Sequence, residues 1–278
     1  MIETIAGCAT HAFQTRGVRF SYLEWGASTS PPMVLLHGLT GHAHTWDHMA
    51  PALAERYHVF ALDQRGHGDS AAADSYATQD FVDDLEALAR HWQIDRFVLM
   101  GLSMGGHNAM AYASAYPERV ERLIVIDIPP RMDRTRAPNW ESIARLADTG
   151  HRTYADADEA IADIRAAYAS APEENLRYRV EWNLNALSDG SFQWKYDPKA
   201  PANWDPEDLT PALASLTMPV LLVRGGKTLV LPREVADRMI ASIPDAELVE
   251  VSDSGHSVPT DRPEALTAGV LDWLARRE

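Results

Sequence analysis

Ser103 stands between Gly101 and Gly105 in Gly-Leu-Ser-Met-Gly, after a short apolar run at 96–100 and before an Ala-, Met- and Gly-rich stretch at 103–116. A sharp strand-to-helix turn holds a serine in a strained backbone conformation. Glycines two residues away on each side remove side chains that would collide there. Such a turn lifts the hydroxyl to the carboxyl edge of a sheet, where open α/β sheets bind ligands. The helix N-terminus beneath it favours developing negative charge. The chemistry on offer is nucleophilic attack at a carbonyl carbon. A serine that only caps a helix is the plainer alternative, and the strand-turn-helix context argues against it.

A serine nucleophile needs a base. His256, in Asp253-Ser-Gly-His-Ser-Val-Pro, follows an apolar stretch at 247–251 and precedes a proline-led helical stretch at 263–274. A loop there reaches the same sheet edge, and Gly255 is expected to permit the turn that aims the imidazole inward. An oxyanion needs two preorganised N–H donors, which backbone amides provide without rearrangement. Met104, next to the nucleophile, is expected to give one, and Leu39, in His37-Gly-Leu-Thr-Gly41, the other. His37 is expected to brace its loop. His42, His44 and His48 lack carboxylate or cysteine partners at a metal-ligand spacing, so no metal site is expected.

The elements that must position these groups follow from the hydrophobic pattern. Residues 18–25 (VRFSYLEW) alternate as an antiparallel strand does, and 33–36, 57–62, 96–100, 123–126, 220–223 and 247–251 read as buried strands. Between them, 78–92 places Phe81, Leu85, Leu88 and Trp92 three or four residues apart, with Thr78 as the expected N-cap. Helices are also expected at 103–116, 232–243 and 263–274, the last two led by proline. Strands alternating with helices predict a parallel sheet covered on both faces.

Residues 129–211 break the alternation: they read as helical, without convincing strands, and hold four of the eight tryptophans. The expectation is a helical lid over a core formed by 1–128 and 212–278. Trp140, Trp182 and Trp204 are expected to face a substrate, while other aromatic rings fill the bundle's own core.

Composition narrows the partners. A net charge of −15 argues against nucleic acid and anionic membrane. Cys8 is the only cysteine, so no internal disulfide can form. The first residues, MIETIAGCATH, lack a basic segment and a sustained apolar run, and no stretch approaches the roughly 18 apolar residues of a membrane helix. A cytoplasmic protein acting on a small molecule, without cofactor, is expected.

HGLTG at 37–41, DQRGHGDS at 63–70, GLSMGG at 101–106 and SGHSV at 254–258 occur in an order that resembles the α/β-hydrolase superfamily, its lid-bearing esterase-like members in particular. The resemblance spans nearly the whole chain. It implies an eight-stranded, mainly parallel sheet with the lid after the sixth strand, and an acyl-enzyme mechanism.

It also exposes a departure. Family members usually take their third catalytic residue, an acid, from the loop after the strand that here is 220–223. That loop reads Arg224-Gly-Gly-Lys-Thr-Leu-Val-Leu-Pro232 and holds no acid before Glu234, which belongs to the next helix. Asp127, directly after the strand at 123–126, is expected to take the role, orienting His256 and stabilising its imidazolium. Asp253 is expected to point elsewhere, and Asp63 and Asp69 to anchor Arg65 and their loop. Hydrolysis of an ester or lactone with a largely apolar portion is the leading expectation, and a C–C bond beside a ketone would fit the same attack at a carbonyl. Cofactor-free oxygen chemistry by a His/Asp pair, or a receptor without turnover, are the alternatives, and the oligomeric state is left open.

Overall fold

The computed structural model describes residues 7–132 and 148–277. Eight strands form one sheet: β1 (Ala9–Thr15), β2 (Val18–Trp25), β3 (Pro32–Leu36), β4 (His58–Asp63), β5 (Phe97–Leu102), β6 (Val120–Ile126), β9 (Val220–Gly225) and β10 (Ala246–Val251). Their spatial order is β1-β2-β4-β3-β5-β6-β9-β10. All neighbours run parallel except β2, which is antiparallel to both β1 and β4. β1 was absent from the sequence reading: its residues are mostly exposed, so it carries little of the apolar signal that marks the central strands.

The central strands are buried on both faces because helices cover both. Along β5, Phe97 and Leu99 join one core, while Val98, Met100 and Leu102 join the other. The first core is closed by α2 (Thr78–His91), α3 (Met104–Ala115) and α7 (Arg233–Ser242), the second by α1 (Ala50–Ala54) and α9 (Pro263–Ala275). In α2 the buried stripe is Phe81, Leu85 and Leu88, as the spacing predicts. Its N-cap is Ala77 rather than Thr78; Thr78 lies one residue inside the helix, and its hydroxyl accepts from the Glu207 N–H instead.

Between β6 and β9 the described residues contain α4 (Ala157–Ile164), α5 (Glu173–Trp182), α6 (Lys199–Asn203) and a hairpin of β7 (Leu184–Ala186) with β8 (Phe192–Trp194). The hairpin corrects the expectation of a strandless segment. Its signal was Asp189-Gly190, with Gly190 at φ 87°, a conformation glycine adopts without a steric cost. This segment has a small core of its own, in which Leu176, Val180, Trp194 and Tyr154 pack together. It is tied to the sheet layer by several hydrogen bonds: Tyr178 Oη donates to Asp47 at 2.5 Å, Tyr76 Oη to Asp197 at 2.5 Å, and the Asp197 N–H to Gly66 O at 2.7 Å. Among the described residues no helix is long and apolar enough to cross a membrane.

Candidate active site

Ser103 is the residue between β5 and α3, at φ 53° and ψ −118°. The motif around it is set by backbone crowding. A Cβ on Gly101 would lie 2.2 Å from Gly105 O, one on Gly105 2.2 Å from Leu36 O, and one on Gly106 2.9 Å from Gly101 O. No side chain fits at these distances, so α3 can approach β3 and β5 only with glycine there. The Ser103 N–H donates to Ile126 O at 2.9 Å, which fixes the turn to the next strand.

His256 lies between β10 and α8 (Val258–Asp261). Asp261 braces its loop: one carboxylate oxygen accepts from the Gly255 N–H at 2.6 Å and from Ser254 Oγ at 3.2 Å. Burial raises the Asp261 carboxyl above its ordinary range, and these bonds oppose that shift. The glycine at 255 works differently from the expected turn. It is absent from the left-handed residues; what matters is that a Cβ on Gly225 would come 1.9 Å from Gly255 O. The end of β9 and the histidine loop touch backbone to backbone.

Asp127 follows β6 with a left-handed backbone, φ 53°, and is fully buried. Its N–H donates to Val223 O at 2.8 Å. One carboxylate oxygen accepts from the Gly225 N–H at 3.0 Å; the other accepts from Thr228 Oγ1 at 2.6 Å and from His256 Nδ1 at 2.7 Å. His256 Nε2 lies 2.9 Å from Ser103 Oγ. The structure thus brings Asp127, His256 and Ser103 into one continuous chain of hydrogen bonds, with a buried carboxylate at one end and a reachable hydroxyl at the other. Such a chain fixes the histidine tautomer with its proton on Nδ1 and leaves Nε2 free to accept the serine proton. Thr228 and the Gly225 amide were missed in the sequence. The loop without an acid holds the acid of its neighbour.

Leu39 and Met104 lie beside Ser103. Met104 opens α3, where a first-turn N–H has no acceptor within the helix. Leu39 belongs to a turn closed by the Gly41 N–H donating to Gly38 O at 2.9 Å, with Thr40 at φ 59°. His37 Nδ1–H donates to the same Gly38 carbonyl at 2.8 Å, and its Nε2 accepts from the Gln64 N–H at 3.0 Å. The Gly38–Leu39 peptide is held from its carbonyl side, leaving the Leu39 N–H on the opposite side. Complete burial, reinforced by the neighbouring His67, keeps His37 neutral, its pKa well below the ordinary value.

The other sequence candidates fall as follows. Asp253 pairs with Lys227 at 3.1 Å, away from His256. Arg65 is held by Asp84 at 2.6 Å and by Asp80, so the expected anchoring of Arg65 by Asp63 and Asp69 is corrected. Asp63 instead accepts the Ala43 and Asp69 N–H groups, and Asp69 pairs with Lys195 at 2.9 Å. His44 bonds Asp47, and among the described residues no cluster of three or more His, Cys, Asp or Glu could hold a metal ion.

A cavity of about 600 Å³ opens over Ser103 and His256. Trp204 lines it, together with Leu39, Tyr168, Leu213, Val230 and Val235. Trp182 is not among the residues lining it; its indole stacks on the His44 ring at 3.6 Å and 12°. Trp140 lies outside the described residues. The walls are mainly apolar, and Arg131 and Arg238 bring charge to the lining.

Comparison with known proteins bears on the chain as a whole. Residues 31–263 match the family model described as alpha/beta hydrolase fold. An esterase of Mycobacterium tuberculosis is 31% identical over 270 residues, covering 91% of this chain and 86% of the relative. A 2-(acetamidomethylene)succinate hydrolase of Mesorhizobium japonicum is 26% identical over 250 residues, 88% of each chain. A crystal structure of E-2-(acetamidomethylene)succinate hydrolase superposes with a TM-score of 0.87 at 24% identity, over 96% of this chain and 99% of the other.

Proposed function

The chain belongs to the α/β-hydrolase fold family, and from that premise we propose that it is a serine hydrolase cleaving an ester or lactone of a largely apolar small molecule. The observation that carries this reading is the run of contacts from Asp127 through His256 to Ser103, 2.7 and 2.9 Å long, at the floor of a mainly apolar cavity.

In the proposed reaction, Ser103 Oγ attacks the carbonyl carbon while its proton passes to His256 Nε2. The electron pair of the C=O bond moves onto oxygen, which the Leu39 and Met104 N–H groups face. The tetrahedral species collapses, the alkoxide leaves with the proton from His256, and an acyl group remains on Ser103. Water then attacks that acyl carbon, again losing its proton to His256; the bond to Ser103 Oγ breaks, Oγ takes that proton back, and the carboxylic acid departs. Asp127 keeps its negative charge and stabilises the imidazolium in each half of the cycle. No step needs a cofactor. Residues 129–211 act as the lid in this reading, with Trp204 as its contact to the substrate. The esterase relative supports hydrolysis of an ester bond; lactones follow from the same attack on a cyclic ester.

The test is labelling with a fluorophosphonate, location of the adduct by peptide mass spectrometry, and turnover of a panel of p-nitrophenyl esters and lactones. Labelling at Ser103, with turnover abolished in Ser103→Ala, is expected. A folded wild-type protein that neither labels nor turns over any member of the panel overturns the reading. Turnover surviving in Ser103→Ala but lost in His256→Ala would point to proton abstraction by a His/Asp pair, the chemistry of a cofactor-free oxygenase.

A further inference from the structure

Thr40 stands in the middle of the oxyanion turn with a left-handed backbone that side chains rarely adopt. Its carbonyl does not point to solvent. Asn183 Nδ2 donates to Thr40 O at 2.9 Å, and Arg179 Nη2 reaches the same oxygen at 3.4 Å. Both donors come from the segment between β6 and β9: Arg179 lies in the last turn of α5, and Asn183 is the residue that ends it. Both are buried, at 8% and 3% exposure. The grip is anchored twice more. His42 Nε2–H donates to Arg179 O at 3.0 Å, and Asn183 O accepts from the Lys195 N–H at 2.8 Å. The Arg179 guanidinium also lies over the ring of Tyr168, 5.0 Å from its centroid, and Tyr168 lines the cavity.

We propose that Asn183 and Arg179 are positioning residues for the oxyanion hole: by holding Thr40 O they keep the Gly38–Gly41 turn in the one form that presents the Leu39 N–H to the reacting carbonyl. Neither touches the reacting atoms. The device makes the donor geometry depend on how α5 sits on the core, and Tyr168 connects that seating to the substrate in the cavity. The inference rests on the proposed serine chemistry.

An octylthio trifluoromethyl ketone tests it, against the matching methyl ketone as a ground-state comparator. With the first, Ser103 Oγ bonds the carbonyl carbon, the C=O pair moves onto oxygen, and the serine proton passes to His256. The adduct's affinity therefore reads the oxyanion donors directly. In Asn183→Ala the trifluoromethyl ketone is expected to lose about tenfold in affinity, below the full loss of an oxyanion donor, while the methyl ketone binds as before. The kcat for an ester falls by a similar factor, with KM little changed. Arg179→Met is expected to act in the same direction and serves if Asn183→Ala does not fold. Adding Thr40→Gly to Asn183→Ala recovers part of the loss, since glycine adopts that backbone unaided. Equal affinities for the trifluoromethyl ketone in wild type and in both folded single variants would overturn this inference and leave the hydrolase reading standing. A wild type that forms no adduct at all brings down both.

Discussion

Thr228 donates its hydroxyl to the Asp127 carboxylate at 2.6 Å, from a loop 101 residues further along the chain. With the Gly225 amide and His256 Nδ1, it brings three donors to a carboxylate that has no solvent exposure. A buried carboxylate is tolerated only when it is paired and hydrogen-bonded, so this set of donors is what lets the acid sit after β6. Thr228→Val removes one donor at nearly constant volume. The expected result is a loss of about 1.5–3 kcal/mol in unfolding free energy, measured by urea titration, with slower ester turnover. Unchanged stability would mean the hydroxyl does not support the carboxylate.

Asp127→Asn keeps the shape and removes the charge. His256 then loses the partner that fixes its tautomer and stabilises its protonated form, and kcat is expected to drop on the order of 10⁴-fold. The check is steady-state turnover beside fluorophosphonate labelling. A variant that labels and turns over at the wild-type rate excludes Asp127 from the triad.

Gly225→Ala places a methyl group 1.9 Å from Gly255 O, next to His256. The histidine loop must move, and a displacement near 1 Å can cost about 100-fold in rate. The expected signature is a kcat loss of that order in a protein that still folds, measured with a melting curve alongside. A variant with full activity would show that the two loops can separate without disturbing the base.

Acid stability follows from the buried histidines. Burial and neighbouring positive groups hold His37 and His42 well below the ordinary 6.5, and burial lowers His67 to about 4. The unfolded chain therefore binds protons that the native protein does not, and stability rises with pH through this range. It is fully present above pH 6.5 and is lost as pH falls from there toward 4, by up to about 1.4 kcal/mol per histidine per pH unit. Burial works in the opposite direction on Asp63, raised from 3.8 to about 6, and on Asp84 and Asp261, but among the described residues these three carboxyls stand against five histidines, since burial lowers His107 and His151 as well. Thermal midpoints measured from pH 8 down to pH 5 are expected to fall steeply below 6.5. A flat or rising profile would contradict neutral burial of these rings.

Val235 lines the apolar part of the cavity. Val235→Trp is expected to shorten the accepted acyl chain, raising KM for a p-nitrophenyl octanoate while leaving the acetate near its wild-type value. Each methylene that no longer fits forfeits about 0.8 kcal/mol. Equal effects on both esters would place the chain elsewhere.

Local sequence determined the parts whose geometry is made by near neighbours. Gly101 is dictated within its own turn, where a Cβ would lie 2.2 Å from Gly105 O, the central strands by their continuous burial, and α2 by its stripe of Phe81, Leu85 and Leu88. Other features were decided by tertiary structure, because they depend on which distant segments meet. Thr228 and Gly225 acquire meaning only when β9 pairs with β6 and carries their loop to Asp127. Trp204 faces the cavity while Trp182 stacks on His44, and nothing in the spacing of the two indoles distinguishes them. The hold of Asn183 on Thr40 joins residues 143 positions apart. Periodicity reports which face of an element is buried; the partner on that face is set by packing of the whole chain.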